Sequence, residues 1–161
     1  VSTANNFKTN LSVIKSVIKS NENRSNILLS RVFEILKKKV KNKKITFLGV
    51  TFKANTDDMR DSSSLAMIPA LSKKGALIKY FDPTGYKKEF KRIKNVSYES
   101  SIKKSLDGSD LVIIHTEWNE FKSINFKNLI KRKKPIIYDM RNIYSKTKIN
   151  AQGFKYFSVG R

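Results

Sequence analysis

The apolar side chains follow a helical period over residues 8–40 and then change to short runs. In the first part they recur every three or four residues, as in an amphipathic helix; they are Leu11, Ile14, Val17, Ile18, Leu28, Val32, Ile35, Leu36 and Val40. The polar stretch 21–26 holds no proline or glycine that would break the helix, so we expect one continuous helix. A helix of about 30 residues spans roughly 45 Å. That length suits a connecting strut or a dimerisation seam, although an ordinary pair of surface helices gives the same pattern.

After residue 40, short apolar runs alternate with helical segments. The runs predict strands at 45–50, 77–81, 96–98, 111–114, 135–138 and 154–157. Helices are predicted at 63–74, 86–91 and 100–106, with a helical or loop-like segment at 121–130. Gly75 is expected to end the 63–74 helix, and Pro69 to kink it. This alternation is typical of an α/β fold with a doubly wound parallel sheet. We therefore divide the chain into a helical connecting or dimerisation region, 1–40, and a domain, 41–161.

The composition excludes several classes of site. With 161 residues, of which 39% are hydrophobic, the chain can form one globular domain with an appendage. Because it holds no cysteine, a disulfide framework, a thiolate metal site and a cysteine nucleophile are excluded within it. A single histidine, His115, argues against a histidine metal site, and we expect no metal. No apolar run approaches the length that spans a bilayer, and we expect no membrane partner.

The formal net charge of +21 has two interpretations. Clustered lysines can bind a polyanion such as nucleic acid. Alternatively, the lysine excess reflects compositional drift in an AT-rich genome, and the side chains are solvated surface. The lysines are scattered along the chain and mostly lack interleaved aromatic residues, which favours the second interpretation. A nucleic-acid-binding module therefore stays an alternative, while the charge would still steer an anionic ligand.

The segment Ile45–Ser64 carries the strongest chemical signal. A buried strand is followed by a charged loop and then by the start of a helix. In a parallel sheet, Lys53 and Arg60 would then lie outside the carboxyl end of a strand, where such sheets bind ligands. Asp57 and Asp58 are interpreted as structural partners of these two cations rather than as a metal or acid–base pair. Residues 61–64 offer side-chain oxygens for a helix N-cap, next to free N–H groups that suit an anion.

Three other strand ends present polar residues. Asp82-Pro83 follows the second strand, where either a simple turn or a ribose contact is possible. His115 follows the strand 111–114, and we expect it to be a satisfied strand-end residue rather than a catalyst. Arg141 follows the strand 135–138 as a phosphate or sugar clamp, or as an ion-pair partner of Asp139. These loops would converge on one crevice, although the sequence does not show which strands are neighbours.

Residues 49–64, GVTFKANTDDMRDSSS, resemble a motif of the UDP-glucose/GDP-mannose dehydrogenase family. In its UDP-glucose 6-dehydrogenases the motif reads G-[LV]-[TA]-F-K-x-[ND]-T-D-D-x-R-[DE]-x-x-S. Further similarities are the T-E-W at 116–118, the D-x-R-N at 139–142 and the ending at 154–161. Met140 departs from this pattern, since glycine is common there. The resemblance is to the C-terminal UDP-binding domain with part of the central helix.

The resemblance implies a Rossmann-like domain that binds a UDP-sugar through Phe52, Lys53 and Arg141, while Arg60 reaches NAD held mainly by another domain. The whole enzyme would oxidise UDP-glucose to UDP-glucuronate with two NAD, through a thiohemiacetal on a cysteine. That cysteine would lie in a missing segment, so we expect a fragment with no catalytic residue that is inactive alone. A cytoplasmic homodimer joined through the N-terminal helix and serving polysaccharide biosynthesis is also implied. A GDP-mannose or UDP-N-acetylmannosamine dehydrogenase domain is the alternative.

Overall fold

The computed structural model describes residues 12–131 and 133–160. Helices are α1 Ser12–Ile35, α2 Ser64–Lys73, α3 Ile102–Leu106, α4 Asn119–Lys122, α5 Phe126–Leu129 and α6 Lys146–Ala151, with a 3-10 turn at Lys88–Phe90. Strands are β1 Lys44–Leu48, β2 Leu77–Phe81, β3 Val96–Tyr98, β4 Leu111–Ile114, β5 Ile136–Asp139 and β6 Tyr156–Ser158. The predicted alternation of strands and helices is confirmed.

The six strands form one parallel sheet in the order β3-β2-β1-β4-β5-β6. In the centre of the sheet, Ile45 of β1 lies opposite Ile78 of β2 and Leu111 of β4. The chain winds outwards from β1 to β3 and then crosses back to β4, so the strand order reverses between β1 and β4. This is the doubly wound arrangement, whose crevice lies outside the carboxyl ends of those two strands.

The first helix is continuous across 21–26, as expected, and runs as one helix of 24 residues. The predicted residues 8–11 lie outside the described part of the chain. The helix ends at Ile35 instead of residue 40, because Lys37 and Lys38 take the left-handed conformation, with φ of 50° and 60°. Their N–H groups donate to the carbonyls of Glu34 and Phe33, which is the hydrogen-bond pattern of a Schellman motif.

Several local predictions need correction. The helix predicted at 86–91 is only a 3-10 turn. The segment 121–130, predicted as helical or loop-like, holds the end of α4, which starts at Asn119, and the four-residue helix α5. The helix Lys146–Ala151 was not predicted at all. Helix α2 continues across Pro69 and is followed by Gly75 at φ +82°, as the prediction of a helix end required. The last strand is an edge strand, but it begins at Tyr156 rather than at residue 154.

Apolar clusters cover both faces of the sheet. On one face, α1 and α2 pack over Ile45, Phe47 and Tyr80, and on the other Leu48 and Ile114 pack under the helices that follow β4. Every residue of β4 is buried, which explains its uninterrupted apolar sequence. Both faces of the central strands are therefore used for packing, and only their ends are available for binding.

Candidate functional site

A crevice at the carboxyl ends of β1 and β4 brings together the segments that carry the sequence motif. The loop after β1 begins at Gly49, the loop after β4 begins at His115, and Arg141 follows β5, which pairs with β4. Because the strand order reverses between β1 and β4, no crossover connection fills the space above these two strand ends. The site predicted from separate strand ends is therefore one place in the fold.

Gly49 and Thr116 form the floor of this crevice through a close backbone approach. A Cβ placed on Gly49 would lie 2.5 Å from the Thr116 Cβ and 2.7 Å from its Oγ1. Gly49 also has φ of +76°, a conformation that side chains disfavour. The Thr116 hydroxyl donates to the carbonyl of Thr51 at 3.0 Å and fastens the two loops together. Glycine is required here by both conformation and space.

The loop after β1 is closed on itself and presents two predicted ligand-binding side chains. The Phe52 N–H donates to the Asp58 carbonyl at 2.9 Å, and the Thr51 hydroxyl donates to the Lys53 carbonyl at 3.1 Å. Phe52 keeps 47% of its surface exposed although it is a large apolar residue. Lys53 is exposed as well. Both side chains are thus held on an ordered loop and remain accessible to a ligand.

Arg60 pairs with Asp58 across one turn of this loop. Its Nη2 lies 2.8 Å from the Asp58 Oδ2 and its Nε 3.0 Å from Oδ1, while its backbone N–H also donates to Oδ1 at 2.8 Å. These hydrogen bonds lower the pKa of Asp58 to about 2, since they stabilise the carboxylate. The expected structural role of Asp58 is confirmed. The Arg60 side chain is nevertheless 88% exposed, so it lies at the rim of the crevice.

Arg141 bridges the loops after β1 and β4. Its Nε donates to the His115 carbonyl at 2.7 Å and its Nη2 to the Phe52 carbonyl at 3.0 Å. The same Nε lies 3.0 Å from the Glu117 carboxylate. The Asp139 carboxylate accepts instead from the Arg141 backbone N–H, at 2.9 Å, so the predicted ion pair with Asp139 is replaced by one with Glu117. The guanidinium therefore fixes the shape of the crevice in addition to supplying charge.

His115 is buried in a chain of hydrogen bonds. Its Nδ1 lies 3.1 Å from the Thr116 hydroxyl and its Nε2 2.9 Å from the Ser63 hydroxyl. Because the Thr116 hydroxyl donates to Thr51, it accepts from Nδ1–H, and Nε2 accepts from Ser63. Burial, and then the charge of Arg141, lower the pKa of His115 to about 3, so the ring is neutral. It is the satisfied strand-end residue that we expected.

The serines at the start of α2 bind mostly to groups outside the helix. Ser63 occupies the N-cap position, but its side chain caps no backbone N–H and binds His115 instead. The Ser62 and Ser64 hydroxyls both donate to the carbonyl of Val50, at 2.7 and 2.6 Å. The Ser62 hydroxyl oxygen also accepts from the Ser64 N–H at 3.3 Å, so the predicted capping is met at this one N–H, but not by the N-cap residue Ser63. The Ser62 and Ser64 hydroxyls thus satisfy the carbonyl of Val50, which lies just beyond the end of β1.

Asp82 serves the turn after β2. The carboxylate is fully buried and accepts from the Val50 N–H at 2.8 Å and from the Thr84 hydroxyl at 2.5 Å. The simple turn chemistry is thus confirmed, and the carboxylate ties the end of β2 to the end of β1. A buried carboxylate with these partners is not placed for a ribose contact.

Thr116, Glu117 and Trp118 follow a strand end and match the family pattern, but they were not among the predicted ligand-binding residues. Thr116 packs against Gly49, Glu117 pairs with Arg141, and Trp118 is 9% exposed. Among the described residues, the Trp118 Nε1 has no hydrogen-bond partner. The buried Glu117 Oε2 also has no hydrogen-bond partner there, although it forms the ion pair with Arg141. The signal that points to them is the T-E-W segment directly after the most apolar strand. Their part in the site becomes visible only with the strand order.

The fold and the cation-bearing crevice define a Rossmann-like ligand-binding domain. A model of the UDP-glucose/GDP-mannose dehydrogenase family, UDP binding domain, matches residues 46–146. This range includes the loops after β1 and β4 and the Arg141 position. The chain belongs to the UDP-glucose/GDP-mannose dehydrogenase family.

Known relatives match almost the whole chain. The UDP-glucose 6-dehydrogenase of Rickettsia typhi is 36% identical over 158 residues, which are 96% of this chain and 36% of that protein. The enzyme of the same name from Rhizobium meliloti is 35% identical over 162 residues, which cover all of this chain and 37% of that protein. The chain therefore spans about a third of the length of the curated relatives it matches.

Solved structures share the fold. The UDP-D-ManNAc dehydrogenase of Pyrococcus horikoshii superposes with a TM-score of 0.78 at 28% identity, over 98% of this chain and 36% of that one. A UDP-glucose dehydrogenase from Pyrobaculum islandicum gives 0.72 at 23% identity, over 86% and 31%. The Rossmann-like fold is thus that of known dehydrogenases. In the part of the chain that the structure describes, no helix is long and apolar enough to cross a membrane.

Proposed function

We propose that the chain is the UDP-sugar-binding portion of a UDP-glucose 6-dehydrogenase. The observation that carries this proposal is the family match over 46–146, which coincides with the crevice at the reversal of strand order. The full-length enzyme would oxidise UDP-glucose to UDP-glucuronate with two NAD. Since the chain holds no cysteine, the covalent step would belong to parts of the enzyme outside it. This chain would bind and orient the nucleotide sugar.

We infer that Lys53 neutralises the diphosphate. Its side chain is exposed on a closed loop at the carboxyl end of β1, and an ammonium group serves as a mobile point charge for phosphate. Phe52, half exposed beside it, would form a wall against the sugar nucleotide. Arg60, at the rim, would reach the NAD held mainly by the other domain. NAD supplies the hydride acceptor when it is bound, and Arg60 would provide one positive charge toward it.

Arg141 would act in two ways. Its Nε and Nη2 already hold the carbonyls of His115 and Phe52, so it keeps both loops at a fixed separation. Its charge is also partly balanced by Glu117. We infer that the arginine orients the loops that contact the nucleotide sugar and adds a positive field to the crevice. A substitution of Arg141 therefore tests loop geometry and ligand contact together, whereas Lys53 tests ligand contact alone.

The division into a connecting or dimerisation helix, 1–40, and a UDP-sugar-binding domain, 41–161, belongs to the same proposal. Its support is that α1 ends at Ile35 and that the first strand starts at Lys44. A homodimer joined through the helical region, a cytoplasmic location and a role in polysaccharide biosynthesis complete the proposed setting. Light scattering of the chain tests the dimer: dimer mass would support it and monomer mass would contradict it.

Calorimetric titration of the 161-residue chain tests the nucleotide sugar. We expect heat with UDP-glucose and UDP, and weaker or no heat with GDP-mannose. Lys53→Ala should weaken UDP binding about tenfold or more, because a charged contact contributes about 1.5–3 kcal/mol. Lys103→Ala is the matched control, since Lys103 is also exposed but lies on α3. Equal losses in both variants, or a preference for GDP-mannose, would refute the assignment.

The runner-up functions have distinct signatures. A GDP-mannose or UDP-N-acetylmannosamine dehydrogenase domain would prefer its own nucleotide sugar in the same titration. A nucleic-acid-binding module would bind a short DNA duplex with a steep salt dependence and give no heat with UDP. The proposed division of labour also predicts that the chain alone reduces no NAD with UDP-glucose. Measurable NADH formation by the purified chain would place catalytic groups within it.

A further inference from the structure

The charges divide between the two edges of the sheet. Short segments lead into the amino ends of the strands: 37–44, 73–76, 94–95, 107–110, 131–135 and 152–155. They make up 27 of the 161 residues but hold 13 of the 27 lysines and only two carboxylates, Asp107 and Asp110. We call this surface the lysine edge; its lysines are Lys37, Lys38, Lys39, Lys41, Lys43, Lys44, Lys73, Lys74, Lys94, Lys131, Lys133, Lys134 and Lys155.

At the opposite edge of the sheet, which carries the crevice, carboxylates outnumber lysines and arginines. The segments that leave the first five strands are 49–63, 82–87, 99–101, 115–122 and 139–145. They hold five Lys and Arg residues against eight carboxylates. Compositional drift would enrich lysine on every polar face. It does not account for a lysine-rich edge and an acidic edge on the same sheet.

The segments of the lysine edge touch one another. The Asn42 N–H donates to the Gly75 carbonyl at 2.8 Å, and the backbone N–H of Lys44 donates to the Asp110 carboxylate at 2.9 Å. Asp110 also pairs with the side chains of Lys43 and Lys133. Among the described residues, all ion pairs on this edge use that one carboxylate. Twelve of the thirteen lysines are exposed, so most of the charge faces outwards.

The lysine edge is broad and has apolar elements. Six parallel strands about 4.8 Å apart give it a width of roughly 24 Å, more than a small anion needs. A cavity of about 520 Å³ opens beside the end of α1 and has Phe33 and Val40 among its lining residues. Leu77, the first residue of β2, is 39% exposed and is paired with Lys44. Cationic groups thus surround apolar ones on one side of the domain.

We propose that the lysine edge docks on the surface of a membrane that contains anionic phospholipids. Thirteen of the fourteen Lys and Arg residues in these segments are lysines, which act as point charges, whereas arginine is preferred for bidentate recognition of nucleic-acid phosphates. The negative potential of an anionic leaflet attracts such clusters without requiring a particular geometry. Leu77 and the apolar part of the cavity suit shallow contact with the headgroup region.

The docking proposal is compatible with the candidate site. The crevice lies at the carboxyl ends of the strands and the lysine edge at their amino ends, so a docked domain keeps its crevice open to solution. The expectation of no membrane partner rested on the absence of an apolar spanning run. That absence concerns crossing a bilayer, while the lysine edge concerns adsorption to its surface.

Cosedimentation of the 161-residue chain with vesicles tests the proposal. We expect binding to phosphatidylcholine vesicles that contain phosphatidylglycerol, no binding to pure phosphatidylcholine, and release in about 1 M salt, where the screening length is about 3 Å. The test variant changes Lys39, Lys41, Lys74 and Lys131 to glutamine. Each lost lysine should weaken binding about fivefold, so the affinity should fall by about two orders of magnitude or more.

A control variant distinguishes an effect of the lysine edge on vesicle binding from an effect of the net charge. It changes four exposed lysines to glutamine: Lys88 on the 3-10 turn after β2, Lys103 on α3, Lys122 on α4 and Lys146 on α6. We expect it to lose less than about tenfold, because these charges lie away from the docked surface. Thermal unfolding of both variants verifies that they fold, and titration with UDP verifies the crevice.

Several outcomes would overturn the docking proposal. Absence of sedimentation with anionic vesicles, equal binding to neutral vesicles, or equal losses in both variants would each do so. Tighter binding of a DNA duplex than of vesicles at the same salt, lost in the test variant, would make the edge a nucleic-acid surface instead.

Discussion

Gly49→Ala is the substitution that examines the floor of the crevice most directly. Gly49 adopts φ of +76°, and its N–H donates to the Phe81 carbonyl at 2.8 Å, so the backbone cannot easily move. A Cβ at this position would lie 2.5, 2.7 and 3.2 Å from the Thr116 Cβ, Oγ1 and Cα. The Thr116 hydroxyl that it would displace holds the loop after β1. The substitution should therefore destabilise the fold and distort the site together.

The expected change in the free energy of unfolding on Gly49→Ala has three parts. Left-handed backbone costs alanine about 1–2 kcal/mol relative to glycine. Relieving the contact with Thr116 costs about 1–3 kcal/mol more, as in other overpacked interiors. The reduced freedom of the unfolded chain returns about 0.4–1 kcal/mol. We expect Gly49→Ala to lower the free energy of unfolding by about 2–4 kcal/mol, which is on the order of 4–16 °C in Tm for a chain of this size.

Gly85→Ala is the matched control. Gly85 has φ of +85°, but a Cβ placed on it would meet no atom within 4 Å. In this variant the alanine adopts the same left-handed backbone, but its Cβ collides with no neighbouring atom. The free energy of unfolding should therefore fall by only about 1 kcal/mol. Urea unfolding of both variants measures the difference, and titration with UDP measures the effect on the crevice. If Gly49→Ala is no less stable than Gly85→Ala, the close approach to Thr116 does not require glycine and our account of the floor is wrong.

Three further predictions concern stability, each measured by urea unfolding. Lys37→Gly should raise the free energy of unfolding by about 1 kcal/mol, because Lys37 has φ of 50° at a helix end that favours glycine. An unchanged or lower free energy of unfolding would contradict this prediction. The unfolded chain takes up a proton at His115 near pH 6.5, whereas the folded chain excludes it until about pH 3. The free energy of unfolding should therefore fall by about 2 kcal/mol between pH 6.5 and 4.5. His115→Gln should lack that part of the pH dependence, and identical pH slopes in the two proteins would refute it. Thr46→Val should lower the free energy of unfolding by about 1–2 kcal/mol, because the buried Thr46 hydroxyl donates to the Ser105 carbonyl at 2.6 Å. The control Thr147→Val, at an exposed position of α6, should change it by less than about 0.5 kcal/mol. Equal effects of the two substitutions would contradict the role of the buried hydroxyl.

The core strands were predictable because their signal is local. The run Leu111–Ile114 is apolar throughout, since β4 is covered on both faces, and its predicted bounds are those of the strand. Gly75 marked the end of α2 because a left-handed residue is needed there. The short helices around 119–129 and the helix Lys146–Ala151 gave weaker signals. Helices of four to six residues are formed by packing more than by propensity, so single-sequence patterns identify them poorly.

Predictions that depended on a partner elsewhere in the chain were less successful. Ser62 to Ser64 have the composition of an N-cap, yet their hydroxyls bind the Val50 carbonyl and His115. The alternative interpretation of Arg141 paired it with Asp139 nearby, but its guanidinium pairs with Glu117. In each case the fold brings other polar partners near, and hydrogen bonds to them, such as those to the Val50 and His115 carbonyls, replace the local contact.

The sequence by itself determined the α/β alternation, the apolar strands and the motif that contains Phe52 and Lys53, because these follow from the spacing of neighbouring residues. Only the tertiary structure decided that β1 lies beside β4, which brings Arg141 to the Phe52 carbonyl across 89 positions of sequence. The same strand order separates the lysine edge from the acidic edge, although the lysines are scattered along the chain. Strand neighbours are chosen by packing and by hydrogen bonds between distant segments, and no local pattern records that choice.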